Sequence, residues 1–104
     1  MEERRDRGAG TVLVKDIYPG SDVDESFPSD LTDVAGTLYF SAFDSTHGRE
    51  LWRSDGTRRG TVLVTDLYRG GKGSRPRSIT DLGGTVFFSA TRPSTGRELW
   101  SVIP

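Results

Sequence analysis

The segment Gly-Arg-Glu-Leu-Trp occurs twice in this chain, at residues 48–52 and 96–100. Each copy follows a Gly-Thr-x-x-Phe-Ser-Ala segment, at residues 36–42 and 84–90. The chain is therefore built from tandem units with a period of roughly 48 to 50 residues, which is typical of solenoids, propellers and other arrays. One unit of this kind cannot bury its own apolar faces, so we expect the units to pack on one another.

The composition excludes several classes of protein. A length of 104 residues indicates one domain, and 13 glycines with 5 prolines predict many turns. Acids and bases are interspersed at a net charge of −1, so neither nucleic acid nor an anionic membrane is an expected partner. The chain has no cysteine, which excludes disulfides and thiolate chemistry. No apolar run is long enough to span a bilayer.

The strand pattern predicts an all-β fold. Residues 61–68 are a near-copy of residues 11–18, and both segments are rich in β-branched residues. Alternation places Val12 and Val14 on one face, and likewise places Leu63 and Leu67 on a single face. Apolar residues on both faces indicate strands that lie inside a stack of sheets. No segment shows helical periodicity, and turn signals recur about every ten residues.

Each unit provides four short antiparallel strands joined as a meander. Two are a hairpin, at residues 31–34 with 37–43 in the first unit and 79–82 with 85–91 in the second; the Glu-Leu-Trp and Thr-Val-Leu-Val segments supply the third and fourth. Such a unit is typical of a β-propeller blade. We expect a charged tail at 1–9 and a two-blade unit at 10–104. It comprises an orphan outer strand at 10–18, a complete blade at 29–68 and a three-stranded blade at 77–104.

The order of the strands predicts assembly. The chain opens with a fourth strand and ends after a third, and two blades cannot close a ring of typically four to eight. We therefore expect a homo-oligomer in which the strand at residues 11–18 pairs with the edge at residues 97–102 of a neighbouring copy. A dimer, trimer or tetramer would give four, six or eight blades, and the trimer is favoured.

The duplicated motif resembles the bacterial ELWxxDGT repeat family. Residues 50–57 read Glu-Leu-Trp-Arg-Ser-Asp-Gly-Thr, residues 60–67 continue Gly-Thr-Val-Leu-Val-Thr-Asp-Leu, and residues 16–20 match the Asp-Ile-x-Pro-Gly that ends the family pattern. The resemblance implies propeller-like repeats in an exported bacterial parent protein with no well-established activity. The second motif stops at Trp-Ser-Val, without Asp-Gly-Thr. That departure favours an excised, engineered or naturally minimal two-blade unit.

Most positions that recur in the two copies of the motif are interpreted as structural. Trp52 and Trp100 are expected to pack between blades, with sugar stacking as the alternative. Glu50 and Glu98, which stand beside Arg49 and Arg97, are expected to form interblade or interstrand ion pairs with arginine rather than a catalytic carboxylate pair. The structural and assembly residues are Val12, Val14, Glu50, Leu51, Trp52, Asp55, Gly56, Glu98, Leu99 and Trp100. Asp55 and Gly56 are expected to form a turn.

Few residues are candidates for binding. Asp22 and Asp24 have an alternating-oxygen pattern that is compatible with a calcium loop, although a solvated loop is favoured. Thr32, Asp33, Thr80 and Asp81 are candidates for a ligand-binding ring at one mouth of the axial channel. No nucleophile, base or cofactor motif is evident, and the one histidine, His47, has no catalytic partner in the pattern.

Two functions remain open. The first is a non-enzymatic propeller that closes a ring by self-assembly and acts as a structural or protein-interaction scaffold. The second is a multivalent, lectin-like propeller that binds glycans, for which the warrant is a likeness of fold alone. The sequence leaves the cellular compartment open.

Overall fold

The computed structural model describes residues 5–6, 10–18 and 26–104. The described residues form nine strands and no helix. The strands are β1 (Arg5–Asp6), β2 (Thr11–Val12), β3 (Ser29–Val34), β4 (Thr37–Asp44), β5 (Gly48–Ser54), β6 (Val62–Leu63), β7 (Arg77–Leu82), β8 (Thr85–Arg92) and β9 (Gly96–Val102). The all-β prediction is confirmed. No helix in this part of the chain is therefore long and apolar enough to cross a membrane.

The strands form three antiparallel sheets in sequence order. β1 pairs with β2, β3 to β6 form a four-stranded sheet, and β7 to β9 form a three-stranded sheet. The hairpin loops between β3 and β4 and between β7 and β8 are tight because Gly36 and Gly84 have positive φ angles of 90° and 89°. Only glycine adopts that backbone conformation readily, so these positions set where each hairpin turns.

The two larger sheets have corresponding registers. Phe40 lies opposite Trp52 in the first, and Phe88 lies opposite Trp100 in the second. Both first strands also contain a register shift, which accompanies positive φ angles at Asp30 and Ser78. The same local irregularity thus recurs at corresponding positions, as expected when duplicated sequences adopt the same local geometry.

The main apolar core lies between the four-stranded and the three-stranded sheet. Its buried residues come from both sheets: Val34, Tyr39, Leu51, Ile79, Val86, Phe88 and Ala90. Val64 and Leu67 of the connecting segment, and Trp100 and Val102 of β9, are partly buried against them. A smaller cluster lies on the opposite face of the four-stranded sheet. There Phe40, Ala42 and Trp52 are buried, and Ile17 and Leu63 pack on them. The four-stranded sheet is therefore apolar on both faces.

The predicted strands at residues 11–18 and 61–68 are wrong in extent. Only Thr11–Val12 and Val62–Leu63 are strands. The backbone N–H groups of Val64 and Thr65 both donate to the Leu51 carbonyl, at 2.8 and 3.4 Å, and the chain then leaves the sheet. This departure also separates Leu63 from Leu67, which pack in different clusters rather than on one face.

The segment at residues 13–18 is not a strand. It lies on the face of the four-stranded sheet that carries the smaller cluster, and not along an edge of the sheet. Ile17 packs in the smaller cluster, the Lys15 ammonium donates to the Thr61 carbonyl at 3.0 Å, and the Tyr18 ring stacks on Phe43 with centroids 5.4 Å apart. Thr11–Val12 pairs with Arg5–Asp6. Side-chain packing, not backbone pairing, therefore holds most of this segment.

Candidate functional site at the junction of the two sheets

The carboxylate of Glu50 connects the four-stranded sheet to the segment that leads into the three-stranded sheet. Glu50 lies in β5 and is fully buried. Its oxygens accept hydrogen bonds from the Thr65 hydroxyl at 3.3 Å and from the backbone N–H groups of Leu67 and Tyr68, each at 3.2 Å. Ser74 donates twice, through its N–H at 2.9 Å and its hydroxyl at 2.7 Å. One side chain thus accepts hydrogen bonds from four residues that lie between Thr65 and Ser74.

The electrostatics of Glu50 indicate a structural group. Burial raises the pKa of its carboxyl above the ordinary 4.5, and the hydrogen bonds from Ser74, Tyr68 and Leu67 oppose that shift. Every bond that Glu50 makes is to a neutral donor of the connecting segment. It is closed to solvent and already saturated with donors, so it is not available as a general acid or base.

The predicted interblade or interstrand ion pair between Glu50 and an arginine is wrong among the residues that the structure describes, and Glu50 does not pair with the adjacent Arg49 either. Successive residues of a strand point to opposite faces, so the two side chains separate. The Arg49 guanidinium instead donates to the hydroxyls of Ser41 and Ser29, at 3.0 and 3.3 Å, and to the Ser26 carbonyl at 3.5 Å. Burial lowers the pKa of Arg49.

Arg97 has the corresponding arrangement in the three-stranded sheet. Its guanidinium donates to the Ser89 hydroxyl at 2.7 Å and to the Arg75 carbonyl at 3.0 Å. Burial, together with the charges of Arg77 and Arg75, lowers its pKa. Among the described residues, neither arginine of the duplicated motif has a carboxylate partner within ion-pair distance.

The backbone crossing beside Glu50 requires two glycines. Gly48 and Gly73 have φ angles of +72° and +76°, and a Cβ atom on either would collide with the backbone of the opposite segment. Arg49 forms a parallel bridge to Gly73, and its carbonyl accepts from the Arg75 N–H at 3.0 Å. The close approach places the Ser74 donors within reach of the Glu50 carboxylate.

In the three-stranded sheet, the residues that correspond to the buried junction residues of the four-stranded sheet are exposed. Leu51 is 0% exposed, whereas Leu99 is 72% exposed. Val34 and Leu82 differ in the same way, at 1% and 67%. Glu98, which corresponds to Glu50, is exposed, and none of the described residues donates a hydrogen bond to its carboxylate. Among the described strands, none pairs with the outer edge of β9, and one face of this sheet is open.

The four-stranded sheet exposes a second surface, next to the smaller cluster. Ile79 is 5% exposed in the core between the sheets, whereas its counterpart Leu31 is 60% exposed. Leu38 is exposed as well, while its counterpart Val86 is buried. Leu31 and Leu38 line a predominantly apolar cleft of about 260 Å³ against the segment at residues 13–17.

The two tryptophans lie in different clusters. Trp100 is half-buried at the junction of the two sheets, where its indole N–H donates to the Ala90 carbonyl at 3.2 Å and Arg92 lies 5.9 Å from its ring centroid. Trp52 is buried in the smaller cluster, and its indole N–H has no partner among the described residues. Trp52 therefore presents no free ring face for a sugar in this chain.

Asp55 and Gly56 lie in the turn between β5 and β6. Asp55 accepts bonds from the N–H and hydroxyl of Thr57, at 2.9 and 2.7 Å, and those bonds lower its pKa. Gly56 has a φ of +96° and donates to the Ser54 hydroxyl. The Thr61 hydroxyl donates to the Thr57 carbonyl and contacts Ser54, each at 2.7 Å. The Asp-Gly-Thr part of the motif thus forms a turn that is held by its own hydrogen bonds and by Thr61.

Thr32 and Asp33 lie on β3, and Thr80 and Asp81 lie on β7. These four residues are the candidates for a ring at a channel mouth, and the two strands are close together although they belong to different sheets. Asp33 and Asp81 each accept a bond from the glycine N–H of their own hairpin turn, at 2.9 Å. The Thr32 hydroxyl lies 3.0 Å from both the Asp30 carbonyl of its own strand and the Ile79 carbonyl across the junction, and the Thr80 hydroxyl donates to the Ser78 carbonyl of its own strand. Their oxygens therefore have local structural partners.

The remaining sequence candidates give no further site. Asp22 and Asp24 lie outside the described residues. Within the described ranges, no three histidine or acidic side chains converge as a metal site. Val12 is exposed, whereas Val14 is half-buried beside the apolar cleft.

Sequence reasoning missed Ser74 as the principal donor to Glu50. A signal was present, because Ser26 occupies the corresponding position before the first hairpin. The Ser26 carbonyl accepts from the Phe43 N–H, and the Ser74 carbonyl accepts from the Thr91 N–H, each at 2.8 Å. The two serines are thus equivalent relative to the sheet that follows each of them.

Comparison with models of known protein families, with curated proteins and with solved structures gives no match.

Proposed function

We propose that this chain is a non-enzymatic β-propeller module that assembles with copies of itself into a closed ring and serves as a structural or protein-interaction scaffold. The single observation that carries the proposal is the contrast between Leu51, which is buried at the junction, and Leu99, which is exposed at the corresponding place. An exposed apolar sheet face with an unpaired edge is an unstable arrangement in water unless it is covered.

The contact between the two sheets supplies the template for the contact between copies. Within the chain, the Val34, Tyr39 and Leu51 face packs against Ile79, Val86 and Phe88. The corresponding positions on the three-stranded sheet are Leu82 and Leu99, which are exposed, and Phe87, which is half-buried. On the four-stranded sheet they are Leu31 and Leu38, which are exposed, and Phe40, which is covered by Ile17 and Leu63. In the proposed ring, the first set of one copy packs against the second set of the next.

The same template assigns donors to Glu98. Leu67, Tyr68 and Ser74 bond to Glu50, and their sequence counterparts are Ile17, Tyr18 and Ser26. In the ring, these three residues of one copy donate to Glu98 of its neighbour. Burial of that carboxylate without donors would be strongly unfavourable, so its hydrogen bonds would make the register of the contact specific.

Strand exchange accompanies the contact. Val62–Leu63 pairs with β5, and its counterpart within residues 11–18 is Val12–Leu13. In the ring, β2 leaves β1, and Val12–Leu13 pairs with β9 of the neighbour. The three-stranded sheet thereby acquires a fourth strand, and the backbone hydrogen-bonding groups along its edge become paired.

A head-to-tail contact of this kind uses two different surfaces, and it closes when the rotation between copies divides the circle. With two blades per chain, a trimer gives six blades, which lies within the usual range of about four to eight. The resemblance to the ELWxxDGT repeats supports the propeller assignment, and three copies remain the favoured ring.

The test is the mass in solution, measured by native mass spectrometry and light scattering for the chain and two variants. Leu99→Asp places a charge on the apolar contact surface of the three-stranded sheet, and Leu31→Asp places one on that of the four-stranded sheet. We expect a discrete oligomer for the wild type, a monomer for each variant, and a one-to-one dimer when the variants are mixed, because one intact contact then forms.

Arg59→Asp, in an exposed turn, is the control for a change of charge and should leave the oligomer intact. A wild-type monomer that is folded at high micromolar concentration would contradict the ring. A mixture of variants that stays monomeric would contradict the head-to-tail arrangement.

A further inference from the structure

A basic cleft lies where the connection between the sheets meets the start of the three-stranded sheet. It has a volume of about 460 Å³ and is lined by Arg49, Lys72, Arg75, Arg77, Ser29 and Phe43, among others. Four of these side chains are cations. Because the whole chain has a net charge of −1, this concentration of positive charge is local and not a consequence of composition.

The cations of the cleft differ in how they are held. The Arg49 guanidinium is half-buried and fixed by neutral acceptors, namely the hydroxyls of Ser41 and Ser29 and the Ser26 carbonyl. Arg75 and Arg77 are exposed at the rim, and the Lys72 ammonium lies 5.8 Å from the Tyr68 ring centroid. Across the described residues, none of these four cations forms an ion pair.

The basic character is specific to this junction. Residues 71–77 read Gly-Lys-Gly-Ser-Arg-Pro-Arg, whereas the corresponding residues 23–29 read Val-Asp-Glu-Ser-Phe-Pro-Ser. The fold itself therefore does not require cations here. Like charges in proximity disfavour one another, and the pKa of the nearby Arg97 is lowered, after burial, by Arg77 and Arg75. An anion would relieve this repulsion.

We propose that the cleft binds a small molecule through a phosphate or sulfate group. The planar guanidinium donates two parallel hydrogen bonds to tetrahedral oxyanions, and three arginines with one lysine supply that chemistry from several directions. The volume exceeds that of an inorganic anion alone, and Phe43 provides an apolar wall for the organic part of an ester. The glycine-rich segment at residues 69–74 lacks the spacing of a backbone phosphate loop, so the side chains carry the binding.

The experiment is a titration followed by ¹H–¹⁵N correlation spectra at low ionic strength, with inorganic phosphate, inorganic sulfate, glucose 6-phosphate, glucose 6-sulfate and neutral glucose. We expect saturable shifts at Lys72, Arg75 and the arginine side-chain signals for the charged probes, and none for glucose. Tighter binding of the sugar esters than of the inorganic ions would identify an ester as the ligand class, and equal binding would identify the free anion.

Arg77→Gln and Lys72→Gln should each weaken binding about fivefold to tenfold, since each removes a charge-assisted contact. Arg53→Gln is the matched control, because Arg53 lies at the far end of β5 from Arg49 and is also exposed. Absence of saturable binding, or equal weakening by Arg53→Gln, would overturn the proposal. Because the cleft lies within one chain, this result is independent of whether the ring forms.

Discussion

The Ser74 hydroxyl donates a 2.7 Å hydrogen bond to Glu50, and this contact joins two buried residues that are 24 positions apart. Both oxygens of the carboxylate are occupied by donors from one connecting segment. The bond therefore links the position of the second sheet to a single side chain of the first. We expect Leu99→Asp to be monomeric, so stability variants made in that background separate folding from assembly.

Glu50→Gln should lower the free energy of unfolding by about 2–3 kcal/mol, because the amide places a donor against backbone N–H groups. Glu98→Gln, the matched change at the exposed counterpart, should stay within about 0.5 kcal/mol. Urea denaturation measures both. In the wild-type background, Glu98→Gln should weaken the oligomer, which dilution followed by mass measurement detects. Equal losses in the monomeric background would contradict the assigned role of Glu50.

Gly48→Ala and Gly96→Ala compare two positions with nearly the same φ, +72° and +73°. Both pay the strain of a left-handed alanine, about 1 kcal/mol. Only at Gly48 does the added Cβ meet backbone, that of Gly73, so this variant should lose about 1–3 kcal/mol more. Thermal unfolding followed by circular dichroism gives the difference. Similar melting temperatures for the two variants would argue against the close crossing.

The contact between His47 and Asp44 makes stability weakly dependent on pH. The hydrogen bond to Asp44 raises the pKa of His47 above 6.5, so protonated His47 is bound more favourably in the folded chain. The stabilisation is complete below pH 6.5 and is lost as the pH rises through the folded-state pKa.

His47→Thr introduces the residue that stands at the corresponding position 95. We expect the wild type to exceed this variant by less than about 1 kcal/mol at pH 5.5, since the pair is partly exposed, and by less still at pH 8.5. Urea midpoints at the two pH values measure the change. A larger advantage at pH 8.5 would show that the sign is wrong.

Thr61→Val removes the buried hydroxyl that bonds to Thr57 and Ser54, and it should cost about 1–2 kcal/mol. Thr11 is its exposed counterpart in the duplicated segment, so Thr11→Val should change stability by less than about 0.5 kcal/mol. Chemical denaturation of the two variants tests whether the turn between β5 and β6 is held by this hydroxyl. Equal effects would contradict that role.

The hairpins could be predicted because their signals are local. Alternating apolar residues and the glycine turns at 36 and 84 define each pair of strands within about fifteen residues, and the structure has both hairpins. The turn at Asp55 and Gly56 was accessible for the same reason. The bonds that form this turn join residues only two positions apart, so the local sequence was enough to predict it.

The length of β6 could not be predicted in this way. Residues 61–68 have strand propensity throughout, yet the strand ends at Leu63. The N–H groups of Val64 and Thr65 both bond to the Leu51 carbonyl, and those of Leu67 and Tyr68 then bond to the Glu50 side chain. A side chain from another strand thus competes with the ladder for these donors. Strand propensity carries no information about such a competitor.

The sequence by itself determined the period, the strand and turn order and the all-β class, because these depend on alternation and backbone preferences over short distances. Only the tertiary structure decided that Glu50 is buried and Glu98 exposed, although both lie in the same Gly-Arg-Glu-Leu-Trp segment. The physical reason is that burial depends on what packs beyond the strand. Glu50 is covered by the connecting segment and the second sheet, whereas nothing among the described residues covers Glu98.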